Sequence, residues 1–373
     1  MSFNYTIYDV TVTPLTPLHI GSGKLLLNEY DYALYGKHTW RIDENAWLEA
    51  QDVDDPKLVE QLSRTPPAQL LEPADFQPGS PFFRYRLAGK PRATGAGAQL
   101  QEMVKTVSDE AYLPGSSLKG AIRTALAWRG WSEMELRPNP RDLDRRRSFA
   151  ARDIEKKIMG RNPNHDLLRA LHVSDSAPVG KDKFIVLNAQ VITRGSLGSP
   201  IELEAIHPDT PFRLTIKVDD QLFSQWATSH RLQLGGSQSW LADLTATIQQ
   251  HTTQRLQAEA NWYGNRPGAG QTAGFYKQLL GIKLPAGKCL LQVGWGTGWE
   301  DKTFGSHLQA DVGFMERIIG DYRLAKGRRE KGDPFPKSRR VTVGVVKDRQ
   351  GRRQQRPAVP LGWVLLEMKE RKK

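Results

Sequence analysis

The order of elements expected from the sequence points to an α+β fold, two related sandwiches in which a small sheet packs against helices. Three observations lead there. Short strand-like runs recur in both halves of the chain, and helical stretches separate them. The 373 residues, 39% of them hydrophobic, suffice for two cores. The ferredoxin-like βαββαβ unit is one such arrangement. No internal repeat is visible as sequence similarity, so the duplication rests on element order alone.

Residues 3–13 alternate as a half-buried strand does. Phe3, Tyr5 and Ile7 share one face; Val10 and Val12 resume after a one-residue slip at Tyr8-Asp9, which predicts a bulge. Pro14 and Pro17 end the run, and Leu18-His19-Ile20-Gly21-Ser22-Gly23-Lys24 reads as a tight glycine turn. Residues 30–34 and 39–42 flank Gly36-Lys37 as a hairpin. Asp43 is placed to cap a helix. Four prolines make 64–80 a loop, and the glycine-rich basic stretch 89–99 reads as a mobile one.

Ala111-Tyr112-Leu113 is expected to be a short strand feeding a Pro114-Gly115 turn. Ser116 or Ser117 is placed to cap the helix that follows, whose apolar face is Leu118, Ile122, Ala125 and Leu126. A further helix is expected over 141–159. Glycines and prolines cluster at 160–180, which divides the chain into 1–165 and 166–373. Strands return at 184–193, 201–206 and 212–218, then a long helix at 238–261. A strand at 288–295 ends in a third glycine turn, Gly294-Trp295-Gly296-Thr297-Gly298-Trp299, and a last strand is expected over 362–368.

The formal net charge is +12, a balance that attracts phosphate and is the footprint of a nucleic-acid binder. A basic enzyme would carry the same charge. The single cysteine, Cys289, excludes an internal disulfide framework and a Cys-rich zinc site. It lies in an apolar run, as a buried structural thiol does. No run of about 18 apolar residues is present to span a membrane. The alternating N-terminus lacks a basic leader with an apolar core, so a cytoplasmic protein is expected. Among the eight histidines none has H-x-x-x-H or H-E-x-x-H spacing, and no G-x-S-x-G elbow or acidic metal cluster is present. Neither a metal nor a cofactor is expected.

The three glycine turns carry the functional reading. Glycine lets backbone N–H groups approach a phosphate, and a following helix N-terminus favours the same anion. Lys24, Lys119 and Lys302 stand near the three turns. Taken singly, each turn reads equally as a tight turn beside a solvated lysine. None is a nucleotide-hydrolase loop, because Lys119 precedes Gly120 and Lys24 lacks the earlier glycine at the required spacing. His19 is either a packed histidine or a general base for RNA cleavage. Trp295 and Trp299 either stack on bases or pack between layers. The basic segment 322–356, with Arg328, Arg329, Lys331, Lys337, Arg339, Arg340, Arg352, Arg353 and Arg356, is a solvated face or a grip on RNA or a protein partner.

Leu15-Thr16-Pro17-Leu18-His19-Ile20-Gly21-Ser22-Gly23 resembles the N-terminal motif of the RAMP proteins of CRISPR systems. Leu113-Pro114-Gly115-Ser116-Ser117-Leu118-Lys119-Gly120-Ala121-Ile122-Arg123 resembles that family's central motif, and Gly294 to Trp299 its C-terminal glycine loop. Within the family the chain looks most like the large terminal RAMP subunit of a type III-A Csm effector, through Asn28-Glu29-Tyr30, Lys302-Thr303 and Pro360-Leu361-Gly362-Trp363. The resemblance implies two RRM-like (ferredoxin-like) domains with inserted loops and helices. It also implies a non-catalytic subunit that caps the 3′ side of a guide RNA, supports guide maturation, and meets other Csm subunits, especially a backbone RAMP subunit. A guide-trimming nuclease is a further candidate partner.

On this reading the RNA-binding set is His19, Gly21, Ser22, Gly23, Lys24, Gly115, Ser116, Ser117, Lys119, Arg123, Gly296, Thr297, Gly298, Lys302, Arg339 and Arg340. Lys119 and Arg123, four apart on a helix, would serve equally to dock a neighbouring subunit. Two other classes stay open: a metal-independent endoribonuclease with His19 as base, and a scaffold that binds no RNA.

Overall fold

The computed structural model describes every residue except 1–3, 52–53, 55, 194–195, 303, 326–328, 331–332, 348–349 and 373, and describes no side chains at 57, 58 and 62. Its strands are β1 (Thr6–Pro14), β2 (Gly21–Leu27), β3 (Tyr32–Tyr35), β4 (His38–Ile42), β5 (Phe83–Ala88), β6 (Gln99–Met103) and β7 (Leu171–Val173). They continue as β8 (Phe184–Ile192), β9 (Leu197–Ile206), β10 (Phe212–Val218), β11 (Lys288–Gln292), β12 (Arg339–Lys347), β13 (Arg353–Pro357) and β14 (Trp363–Glu370).

The first sheet runs β11-β14-β1-β10-β7, every neighbouring pair antiparallel. Taken in chain order, β1, β7, β10 and β14 are the four strands of a βαββαβ unit. The helix Gly115–Glu133 lies between β1 and β7, and the long helix Leu244–Gly264 follows β10. The second sheet runs β2-β6-β9-β8-β5-β4-β3, with β12 also on β8 and β13 on β12. Both sheets draw strands from either side of residue 165: β1 pairs with β10 and β14, and β5 with β8.

The register of β1 is unbroken against both neighbours, so the bulge expected at Tyr8-Asp9 is absent. Tyr8 simply shares the core face with Val10 and Val12, and Tyr5 and Ile7 fall on the other; no slip is needed. Phe3 lies outside the described residues. The Gly36-Lys37 hairpin forms as expected, with Gly36 at φ +57°. Asp43 caps the helix Glu44–Glu49 by accepting from the Ala46 N–H. The stretch 89–99 is held by Asn28, whose amide donates to the Thr94 and Gly95 carbonyls, and by Glu202, which accepts from the Arg92 N–H.

The face predicted for the helix Gly115–Glu133 is the buried one: Leu118, Ile122, Ala125 and Leu126 are fully enclosed against Val10, Val12 and Phe212. Its cap differs from expectation. Ser116 and Ser117 lie inside the first turn, Pro114 is the N-cap residue without a side-chain bond, and Asp175 reaches across to accept from the Gly115 N–H at 2.7 Å. The single helix expected over 141–159 is two short 3₁₀ turns and a helix confined to Arg152–Met159. Pro140 and the Asn139 side chain, which accepts from the Arg141 N–H, favour a turn there. A second core joins Leu256, Ala260 and Tyr263 of the long helix to Tyr276 and Trp363. No described helix is long and apolar enough to cross a membrane.

Candidate nucleic-acid interface

The first glycine segment is not the tight turn expected but the bulged start of an edge strand. The pairing of β2 with β6 shifts between Gly21 and Leu25, and Gly23 takes φ +90°. Gly21, Ser22, Gly23 and Lys24 are exposed there. The Ser22 hydroxyl donates to Glu102 at 2.9 Å and accepts the Lys24 N–H at 3.1 Å, which holds the bulge.

The third segment leaves β11 and turns back onto the first. The Trp295 N–H donates to the His19 carbonyl at 2.9 Å. Gly294 sits at φ +82°, where a Cβ would lie 2.5 Å from that same carbonyl oxygen. Only glycine fits so close a crossing. Gly362 locks the junction from below: its N–H donates to the Pro17 carbonyl, and its own carbonyl accepts from Val293.

Between these two segments lies the first turn of the helix Gly115–Glu133. The three together enclose an open groove of about 650 Å³. From the first segment His19, Gly21, Gly23 and Lys24 line it; from the helix, Ser116, Ser117, Gly120 and Arg123; from the third, Trp295, Thr297 and Lys302. Segments more than 90 residues apart thus form one surface. Lys24, Arg123 and Lys302 share its lining with Glu102 and Asp301.

Other expected residues are placed elsewhere. Gly115 is buried against the backbone of Val173 and Ser174, with its N–H committed to Asp175. Lys119 gives its ammonium to the Leu168 and Leu171 carbonyls at 2.9 and 2.7 Å, and burial pulls its pKa down. Arg123 lines the groove with its guanidinium paired to Glu155 at 2.8 and 3.3 Å. Gly296, Gly298, Arg339 and Arg340 line a neighbouring cavity of about 340 Å³, which Thr297 shares with the groove. Arg340 is exposed, 4.7 Å over the Trp295 ring. Within the basic segment Arg329 pairs with Glu316 at 2.6 and 2.7 Å and Lys337 with Asp333. Arg328, Lys331 and Thr303 lie outside the described residues.

His19 is fully buried, and Nδ1–H donates to the Glu204 carbonyl at 2.5 Å. Burial first, then the nearby Lys105 charge, lower its pKa to about 4, so the ring is neutral at neutral pH. Its Nε2 is enclosed without a partner among the described residues. A base out of a solvent's reach and this weak is poorly suited to abstract a 2′-hydroxyl proton; the ring instead props the crossing of the first and third segments.

Sequence reasoning missed the buried polar groups beneath the groove. Glu204 accepts from the Tyr85 hydroxyl at 2.8 Å, the Met103 N–H at 3.0 Å and the Lys105 ammonium at 2.5 Å. Arg255, itself buried, bonds Glu259 at 2.8 Å and Asp301 at 3.0 Å and also contacts Glu300. Arg339 joins them at 2.9 Å from Glu259; burial opposes its charge, but Glu259 and Glu300 outweigh it and raise its pKa. Burial pushes the Asp301 carboxyl up to about 6 despite Arg255. Apart from Arg255 and Glu259, four apart on one helix, these partners come from segments distant in the chain, and nothing local in the sequence marks them. Cys289 is buried, and burial pushes its thiol up to about 12. Among the described residues no cluster of three potential metal ligands is present.

A family model described as the RAMP superfamily matches residues 11–300. Over 115 residues the chain is 30% identical to the CRISPR system Cms protein Csm5 of Methanocaldococcus jannaschii. That match covers 30% of this chain and 27% of the relative, so the chain spans about a quarter of that protein's length. Two solved structures share the fold. One is a chain of a Csm–crRNA–target RNA ternary complex of a type III-A CRISPR-Cas system, 23% identical with TM-score 0.73, covering 96% of this chain and 100% of that one. The other is T. onnurineus Csm5, 22% identical with TM-score 0.62, covering 95% and 99%.

Proposed function

The chain belongs to the RAMP superfamily, and from that premise we propose that it is an RNA-binding, non-catalytic subunit of a type III-A CRISPR (Csm) effector complex. Its groove holds the guide RNA toward the 3′ side, next to a backbone RAMP subunit, and so supports guide maturation and antiviral defence. One observation carries this reading: three glycine-rich segments, remote in sequence, converge on one open groove whose rim carries Lys24, Arg123 and Lys302. Glycine on two walls and a helix start on the third let a sugar–phosphate backbone approach the main chain closely, a contact that is sequence-independent and salt-sensitive. The likeness to a chain of the crRNA-bound Csm complex supports the choice of partner.

The endoribonuclease alternative is disfavoured by His19, whose ring is buried in the groove wall and weakly basic. To test the proposal, the tagged chain is purified from its host at moderate salt and its RNA sequenced. Guide RNAs with repeat-derived ends and co-purifying RAMP subunits are expected, and RNA content falls in a Lys24→Ala/Lys302→Ala variant. Precursor RNA without partner subunits would favour the nuclease; a folded protein free of RNA would leave the scaffold reading.

A further inference from the structure

We infer that the RNA path does not end at the glycine-lined groove but continues across Arg123 into a second basic cavity bounded by Lys119, Arg152, Lys156 and Arg169. This extension rests on the groove's RNA-holding role. The cavity measures about 500 Å³, and Arg123 lines both it and the groove, so the two are adjoining compartments of one surface. Five cations border it, counting Arg123, against the carboxylates of Glu155 and Asp166. Such an excess in a concave surface concentrates phosphate.

The cations divide into two kinds. Arg123 and Lys119 are fixed, the first by Glu155 and the second by the Leu168 and Leu171 carbonyls. They supply field at the junction rather than free donors. Arg152, Lys156 and Arg169 are exposed. Lys156 pairs with Asp153 at 3.1 Å, an exposed pair weak enough to exchange for phosphate, and Arg152, itself 43% exposed, is held at 2.8 Å by Asp144, which is 15% exposed. Arg169 uses one arm on the Asn164 carbonyl, which leaves the rest of its five-donor fork. The far wall is rigid: Gly160, at φ +126°, has the His165 carbonyl oxygen 1.9 Å from where a Cβ would stand. Arg152 also lies 5.2 Å from the ring of Phe149, an aromatic 42% exposed on which a base leaving the cavity can stack.

The test uses the full chain and two oligouridylates, one of about 4 nucleotides that fills the groove alone and one of about 12 that reaches both compartments. Anisotropy titrations across a salt series give the slope of log affinity against log salt. Arg152→Ala/Lys156→Ala/Arg169→Ala is expected to reduce the slope for the longer RNA by about 2, near 0.7 per lost phosphate contact on a single strand, and to leave the shorter one unchanged. Arg152→Lys/Lys156→Arg/Arg169→Lys keeps the slope. An unchanged slope for the longer RNA in the alanine variant overturns the extension, as does an equal loss for both lengths. If the unaltered chain binds the short RNA and gains no slope with length, the extension alone fails. If it binds neither, the groove reading falls and the extension with it.

Discussion

Gly294→Ala should unfold the junction on which the groove depends, and its cost can be set beside a control in the same loop. At φ +82° a methyl group is strained by about 1–2 kcal/mol. At Gly298, φ +86°, the same strain applies but nothing lies within 4 Å of the added Cβ. The difference between the two positions is therefore contact alone. At Gly294 the methyl meets the His19 carbonyl oxygen at 2.5 Å, with Ile20 and Leu18 side chains at 3.2 and 3.3 Å. Backbone must move, and the Trp295 N–H to His19 bond is lost, leaving a carbonyl short of its partner for about 1–3 kcal/mol. Gly294→Ala should thus cost roughly 3 kcal/mol and Gly298→Ala about 1. Urea denaturation of both variants reads the difference as a shift in midpoint at constant slope. RNA affinity should drop in Gly294→Ala even under conditions where the protein stays folded. Equal midpoints for the two variants would refute the close crossing of the first and third segments.

Further tests address separate parts of the molecule. Lys24→Ala/Lys302→Ala should leave the urea midpoint in place and lower the salt slope of RNA binding by about 1.4, since two exposed phosphate contacts disappear. Leu126→Ala, at a fully buried position of the central helix, should cost about 2–5 kcal/mol in the same denaturation assay. His19 should titrate near 4 by NMR; because its folded pKa lies below the unfolded 6.5, the unfolded chain binds the extra proton between those values. Its contribution to stability is therefore present above about pH 6.5 and is lost as pH falls toward 4, and His19→Gln should flatten that limb. Asp301, raised to about 6, works in the opposite sense: the folded state holds the extra proton, so its contribution weakens as pH rises from 3.8 through 6, and Asp301→Asn should remove that component.

Features with a short physical range were legible in the sequence. The Gly36-Lys37 hairpin, the Asp43 cap and the Leu118–Leu126 face need only local spacing, and each formed as expected. The helix expected over 141–159 formed only at Arg152–Met159, because charge runs say little about periodicity; Arg145 and Arg146 precede a 3₁₀ turn that Arg147 opens. The glycine motifs were visible, yet which of their cations stay available was not. Lys119 is taken by carbonyls 49 and 52 residues away, and Arg339 by a carboxylate 80 residues away. Desolvation drives both commitments, and burial is a property of the packed chain rather than of a motif.

Convergence itself has a structural cause. β1 is the inner strand of the first sheet, between β10 and β14, so the segment leaving it at Pro14 emerges beside the end of β11 and the start of β14. Leu15 N–H on the Trp363 carbonyl, Gly362 N–H on the Pro17 carbonyl and Trp295 N–H on the His19 carbonyl then tie the three chain passages by main-chain bonds. A ligand entering the groove meets walls already ordered by the sheet's own register, and little conformational entropy is left to lose at those positions. The side chains that grip are different in kind: Lys24 and Lys302 are exposed and carry their own rotamer cost. Affinity in such a site is set by how many flexible cations reach phosphate, and register by the rigid glycine walls. It follows that substitutions at Lys24 or Lys302 should alter binding strength uniformly across RNA sequences, whereas a substitution at Gly294 should alter whether a groove exists at all.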